Sequence, residues 1–151
     1  MGVLMVDSEF EAEARRISPE EWVVYWPMIS RELDTIPQWW EVYWTKDYIN
    51  SSVISGNWQA WGFGDVDKVN IIVLTQIMLY PANRILQIML AFGNSLELCL
   101  PLMEATFERF AVETHSRYCE FIGRSGWGPK FPRFKSVGVV FRCEVPDMGV
   151  H

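Results

Sequence analysis

The stretch over residues 71–92 constrains the fold of this chain more than any other part of the sequence. It is mostly apolar, and Pro81, Asn83 and Arg84 interrupt it near its middle. In a lipid bilayer these groups would be left unsatisfied, so the stretch predicts a β-hairpin and not a membrane span. Because both predicted strands are apolar on both faces, we expect a sheet that is covered on both sides.

A helix is predicted to start at residue 18. Residues 18–21 read Ser-Pro-Glu-Glu, a capping box in which Ser18 caps the helix and Glu21 reaches back to it. An apolar face at helical spacing follows, formed by Trp22, Trp26, Ile29 and Leu33. Pro27 inside this run predicts a kink or a division into two short helices.

A second, shorter helix is predicted between Thr45, a suitable N-cap, and Gly56, a suitable C-terminal stop. The hydrophobic period then changes to that of strands. We expect strands over residues 58–63, 69–80 and 85–92, with a turn between the last two.

The last third of the chain predicts a helix between strands. Residues 96–111 carry apolar side chains at helical spacing, and Pro101 suggests that the helix begins near that residue. A strand over 118–122, a connector over 123–136 and a final strand over 137–145 follow. A strand, a helix and a strand at this spacing normally form a parallel crossover.

Together these elements predict an α+β fold with a mixed, mostly antiparallel sheet and helices on both faces. At 151 residues the chain has the length of one domain. Residues 1–17 lack a clean apolar face, so we expect a loosely held N-terminal arm there and a single domain over residues 18–151.

The charge of the chain bears on its partners. The net charge is -6 and no basic stripe is visible, so we expect no nucleic-acid partner. No membrane partner is expected either. One short basic cluster, interrupted by prolines, is interpreted as a solvated connector; it consists of Arg124, Lys130, Arg133 and Lys135.

The cysteines and histidines indicate neither disulfides nor a metal site. Cys99, Cys119 and Cys143 stand far apart, which favours reduced thiols. The two histidines are isolated, so no zinc ligand set can be assembled. His115 lies four residues before Cys119, but we expect a helix-end histidine and a buried strand cysteine there, and not a nucleophile with its base.

Aromatic residues are concentrated in one linker. Residues 38–44 read Gln-Trp-Trp-Glu-Val-Tyr-Trp, and adjacent rings cannot easily be buried on one face. We predict a partner-binding surface made of Trp39, Trp40, Tyr43, Trp44 and Trp127. The alternative, that two or three of these rings fill the core beside the first helix, stays equally open.

The order of the elements over residues 18–145 resembles the GCN5-related N-acetyltransferase fold. More narrowly, the chain is similar to short phage-encoded proteins with this fold, found among virion and head-assembly genes. Two local features carry that narrower resemblance: Ser-Pro-Glu-Glu-Trp at residues 18–22 and Arg-Ser-Gly-Trp at residues 124–127.

The catalytic members of this family have a glycine-rich loop before the long helix, whose backbone N–H groups meet the pyrophosphate of acetyl-CoA. At that junction this sequence has Gly93, Asn94 and Ser95, a vestigial loop with one glycine. Glu97 adds a negative charge where two phosphates would lie. We therefore expect no cofactor, and interpret these residues as helix caps.

The family's general acid is a tyrosine four residues before the glycine of the last strand. Alignment on Gly138 places Phe134 there, and phenylalanine has no proton to donate. Glu41, Asp65 and Asp67 are loose candidates for a general base, and none is assigned. The resemblance therefore implies a fold without the family's catalytic residues.

These expectations favour a non-catalytic structural or assembly protein of a tailed-phage particle, with portal, capsid or tail proteins as partners and multiple copies in an assembly. Its location would be the virion, and the host cytoplasm during assembly. The alternative is an active N-acetyltransferase that uses acetyl-CoA. A third hypothesis is a cleft that binds a partner's peptide tail as an added strand.

Overall fold

The computed structural model describes residues 3–5, 11–36, 38–65, 68–94, 96–122 and 130–146. Within them, six strands form one sheet in chain order. The strands are β1 (Val3–Met5), β2 (Glu11–Ile17), β3 (Trp58–Asp65), β4 (Lys68–Leu79), β5 (Arg84–Gly93) and β6 (Tyr118–Phe121).

Neighbouring strands are antiparallel from β1 to β5, and only β5 and β6 pair in parallel. The connection between these last two is the helix α3 (Leu96–Glu113). The predicted α+β fold, the mostly antiparallel sheet and the parallel crossover are thereby confirmed. The β4–β5 hairpin also confirms the interpretation of residues 71–92.

Two further helices, α1 (Pro19–Thr35) and α2 (Lys46–Ser55), lie between β2 and β3. The Ser18–Glu21 capping box forms at the start of α1, and Thr45 caps α2. Gly56 ends α2 in the left-handed conformation, with φ of 87°. These local predictions are confirmed. A single-turn 3₁₀ helix, Gln38–Val42, joins the two helices.

Pro27 neither ends nor divides α1, which is one helix through Thr35. A proline removes the hydrogen bond to the carbonyl four residues earlier, here that of Val23. Both Pro27 and Val23 are exposed, so water can satisfy the released carbonyl. Similarly, α3 begins at Leu96 and includes Pro101, so the prediction of a start near Pro101 is wrong.

Helices cover both faces of the sheet, as the apolar pattern of the hairpin predicted. Trp58 and Leu74 lie on one face, in a buried cluster with side chains of α1 and α2. Trp61 and Val73 lie on the other face, in a second cluster with side chains of α3. No helix in the described part of the chain is long and apolar enough to cross a membrane.

The expected N-terminal arm is wrong for residues 11–17, which form β2 and pair with β3. Ala14 is fully buried, and Arg15 forms an ion pair of 2.8 Å with Glu21 of α1. The Arg15 guanidinium also donates a hydrogen bond of 2.9 Å to the Tyr25 hydroxyl. The apolar signal is weak because the buried side of the strand includes an alanine.

The final strand predicted over residues 137–145 is absent: residues 134–146 have no regular secondary structure and are mostly exposed. A strand is stabilised by hydrogen bonds to a neighbouring strand, and the described residues of this chain supply no such neighbour. The prediction was therefore wrong because it used the side-chain pattern alone.

Candidate functional site

An opening in the sheet lies between β5 and β6. The parallel pairing of these strands ends at Ile88, opposite Phe121. On the other side of β5, Leu74 pairs with Leu90 and Thr75 pairs with Ile88, so Met89 is an extra residue. Such a β-bulge bends its strand. The bulge therefore directs the end of β5 away from β6 immediately after their last pair.

Beyond the bulge, residues 89–93 have no strand partner on the β6 side within the described chain. A cavity of about 320 Å³ lies near this end of β5, between it and the end of α1. Glu32 is the one charged residue in its lining, which otherwise consists of Thr35, Ile36, Ile71, Ala91, Phe92 and Gly93. A carboxylate disfavours the binding of a phosphate, because both are negative.

At the junction of β5 and α3, the backbone is bonded to the sheet. Gly93 has a φ of +130°, and a Cβ added there would lie 2.1 Å from the Asn70 carbonyl oxygen. The next amide, that of Asn94, donates a hydrogen bond of 3.0 Å to the same oxygen. The glycine thus permits close contact with β4, and the Asn94 N–H already has an acceptor. Ser95 lies outside the described residues.

The first turn of α3 carries its own anion. Glu97 forms an ion pair of 3.0 Å with Lys130. Anions are favoured at a helix N-terminus by the helix dipole, and here a carboxylate of the chain lies in that field. Further along, Arg133 donates a hydrogen bond of 2.8 Å to Glu108 of α3. The predicted solvated connector is therefore paired with α3 at two of its cations.

Phe134, at the position of the family's catalytic tyrosine, is part of an aromatic cluster. Its ring centroid is 5.1 Å from that of Phe121 in β6 and 5.6 Å from that of Phe131. The three rings cover the end of β6 on its α3 side. The side chain has a packing role, and a hydroxyl is not required for it.

The titratable candidates do not form a catalytic group. Glu41 is exposed on the 3₁₀ helix, while Asp67 and the side chain of Asp65 are not described. Burial, with a contribution from Glu120, raises the pKa of the Cys119 thiol to about 12, so this thiol is a poor nucleophile. All three cysteines are free, as expected. In the described residues no cluster of metal ligands occurs.

The predicted aromatic surface is only partly present. Trp40 is 2% exposed and packs in the α1/α2 core, so its assignment as a partner-binding residue is wrong. Trp44 is half-buried, with its ring centroid 5.2 Å from that of Trp58 in an edge-to-face arrangement. Tyr43 is 45% exposed. The side chain of Trp39 and the whole of Trp127 lie outside what the structure describes.

A shallow depression of about 340 Å³ remains at this position, lined by Tyr43, Trp44, Thr45 and Tyr48. Arg142 from the C-terminal segment lies over the Tyr43 ring, 5.4 Å from its centroid. It also donates a hydrogen bond of 2.6 Å to the Tyr43 hydroxyl. Sequence reasoning missed this contact, which joins residues 99 positions apart.

The fold has many counterparts among solved structures. An aminoglycoside acetyltransferase from an uncultured soil metagenomic sample superposes with a TM-score of 0.63 at 10% identity, over 89% of this chain and 97% of that one. A GCN5-related N-acetyltransferase from Ralstonia eutropha JMP134 gives 0.63 at 10% identity, over 89% and 98%. A predicted acetyltransferase with acetyl-CoA from Clostridium acetobutylicum gives 0.60 at 10%, over 93% and 99%.

No protein-family model and no curated protein matches the sequence. The likeness to solved structures is therefore one of backbone architecture, at identities that carry no assignment of activity. It covers most of this chain and nearly all of each acetyltransferase compared. The chain has the GCN5-related N-acetyltransferase fold that its element order resembles.

Proposed function

We propose that this chain is a non-catalytic, protein-binding scaffold that uses an acetyltransferase-like fold within a tailed-phage particle. Its partners would be portal, capsid or tail proteins, and its location would be the virion and, during assembly, the host cytoplasm. A fold alone does not fix a function, so the proposal depends on the residues around the cleft.

The observation that carries the non-catalytic part is the occupied junction between β5 and α3. A pyrophosphate requires free backbone N–H groups at a helix N-terminus. Here the Asn94 N–H is bonded to the Asn70 carbonyl, and Glu97 supplies a carboxylate in the first turn. The cavity near the end of β5 adds a second carboxylate, that of Glu32.

Phe134 supports the same proposal from the opposite end of the cleft. It packs among aromatic rings and has no proton to transfer. The phage part depends on the resemblance of residues 18–22 and 124–127 to phage-encoded proteins. The first of these also has a local explanation, because Ser18 and Glu21 form a capping box.

An active N-acetyltransferase that uses acetyl-CoA is the second candidate. The solved structures favour it over the scaffold, since those compared above are acetyltransferases. The opening between β5 and β6 gives it a place for an extended cofactor arm. Its weakness is chemical: the described residues around that opening offer neither free phosphate donors nor a tyrosine acid.

Titration calorimetry of the full chain with acetyl-CoA separates the two candidates. We expect no heat of binding at millimolar cofactor and no change in the thermal midpoint. A true ligand at 100 times its Kd would stabilise the fold by about 2.7 kcal/mol, which a melting curve resolves easily. Binding in the micromolar range would contradict the scaffold and support the enzyme.

The phage proposal is tested on purified particles of the encoding phage. We expect mass spectrometry to find the chain at a stoichiometric level, and its absence would contradict a structural role. Tyr43→Ala should reduce incorporation because this ring is exposed beside the depression. Tyr80→Ala is the matched control, since Tyr80 is 46% exposed but follows β4 at the hairpin turn. Equal incorporation of the two variants would exclude the depression as a contact surface.

A further inference from the structure

The C-terminal segment over residues 137–145 has the side-chain pattern of a strand, although it pairs with nothing in the described chain. Apolar residues occupy every second position: Val137, Val139, Phe141, Cys143 and Val145. The exposed fraction is 88% at Val137 and 91% at Phe141. These values are those of a segment without a covering surface, and contiguous exposed apolar groups normally mark an interaction site.

The backbone of the same segment is equally unpaired. Across residues 135–146, no hydrogen bond joins backbone to backbone in the part of the chain that the structure describes. The described contact with the rest of the chain is that of Arg142 with Tyr43. The segment therefore has the donors and acceptors of a strand as well as its side-chain pattern.

A matching acceptor exists at β6, the last strand of the sheet. Its outer edge has no strand neighbour among the described residues. Cys119 and Phe121 point to the α3 side, where Phe131 and Phe134 extend the apolar surface. Glu120 points to the opposite face, since successive side chains alternate across a strand.

The segment fits this edge on both faces. With its odd-numbered apolar residues on the side of Phe121, its even-numbered residues lie on the side of Glu120. Arg142 is one of these even-numbered residues, and its charge is opposite to that of Glu120. Apolar and charged groups of the two strands are therefore placed together by one register-independent choice of face.

We propose that residues 137–145 add as a strand to the open edge of β6 in a second copy of this chain. Phe134 packs on Phe121 of its own chain, yet the residues after it do not follow their own β6. Each copy thus carries one unpaired strand and one unpaired edge. A two-fold symmetric pair satisfies both at once, because an isologous interface is self-complementary.

This strand exchange covers the open edge and the exposed apolar residues together. Open edges and exposed apolar strands otherwise promote uncontrolled association. The inference is independent of the proposed function, since an enzyme or a scaffold could dimerise in this way. It predicts a closed dimer and not an open filament.

The test is light scattering coupled to size exclusion of the full chain over a range of concentrations. We expect a mass twice the 17.6 kDa of one chain. Phe141→Lys should shift the protein to the monomer without changing its circular dichroism, because Phe141 is 91% exposed and supports no core. A monomeric wild-type protein would overturn the inference, including the case of a segment folded on its own β6.

A pair of proline variants distinguishes strand pairing from nonspecific apolar contact. Consecutive residues of a strand direct their N–H groups to opposite edges, and only one edge can face β6. One variant of the pair Val139→Pro and Val140→Pro should therefore dissociate the dimer, while the other retains it. Equal behaviour of both variants would overturn the strand-addition geometry.

Discussion

At Gly93 the backbone φ is +130°, and the Asn70 carbonyl oxygen occupies the space that a Cβ would need. The residue follows the opening between β5 and β6, at the position where catalytic relatives use glycines to approach a phosphate. In this chain the close approach is made to β4. One residue type therefore serves sheet packing here, and the sequence alone gives no way to separate that role from cofactor binding.

We predict that Gly93→Ala destabilises the protein by about 3 kcal/mol or more, because both the φ value and the contact with Asn70 oppose a Cβ. Urea unfolding followed by circular dichroism measures the effect. Gly138→Ala is the control: nothing lies within 4 Å of an added Cβ there. Its free energy of unfolding should stay within about 0.5 kcal/mol of the wild type. A similar effect of the two variants would contradict the packing role.

At the scale of elements, β3 and β4 are joined by a buried side-chain network as well as by their backbone pairing. Trp61 donates a hydrogen bond of 3.0 Å to the Thr75 hydroxyl, which donates in turn to the Gln59 side-chain oxygen at 2.9 Å. All three residues are buried. Gln59 and Thr75 are also register partners. The network thus fixes the register of the two central strands.

We predict that Thr75→Val, which keeps the shape but removes the hydroxyl, costs about 1–3 kcal/mol because it leaves the buried Trp61 N–H unsatisfied. Thr75→Ser retains the hydroxyl and should cost about 1 kcal/mol through the lost methyl group. Denaturant unfolding of the two variants gives the comparison. If the valine variant were as stable as the wild type, the network would have no role in stability.

At the scale of the whole molecule, the two apolar clusters share one sheet. Trp22, Trp40 and Trp58 are buried on the α1/α2 side, and Trp61 is buried on the α3 side. Neither cluster can lose its sheet face without exposing the other. The described part of the chain should therefore unfold as one cooperative unit.

We predict that tryptophan fluorescence and far-UV circular dichroism give the same unfolding midpoint in urea. Fluorescence reports the packing of the rings on both faces, while circular dichroism reports the helices and the sheet. Coincident curves are the expected result for a two-state transition. Two separate midpoints would show that the α1/α2 layer and the α3 layer unfold independently.

The sequence by itself determined the features that depend on a few neighbouring residues. The caps at Ser18 and Thr45, the helix end at Gly56 and the β4–β5 hairpin occur where their local chemistry predicts. Each is decided by a hydrogen bond or a backbone conformation within about one turn of chain. The vestigial cofactor loop was also visible, because a missing glycine or tyrosine needs no structure to be seen.

Only the tertiary structure decided which segments find a partner. Residues 11–17 looked like an arm and became β2, because β3 supplies the hydrogen bonds that their own pattern could not promise. Residues 137–145 looked like a strand and remain unpaired. Trp40 entered the core while Tyr43 stayed exposed, although both belong to one aromatic run. Pairing and burial depend on groups distant in sequence, and the side-chain pattern of a segment carries no information about whether those groups arrive.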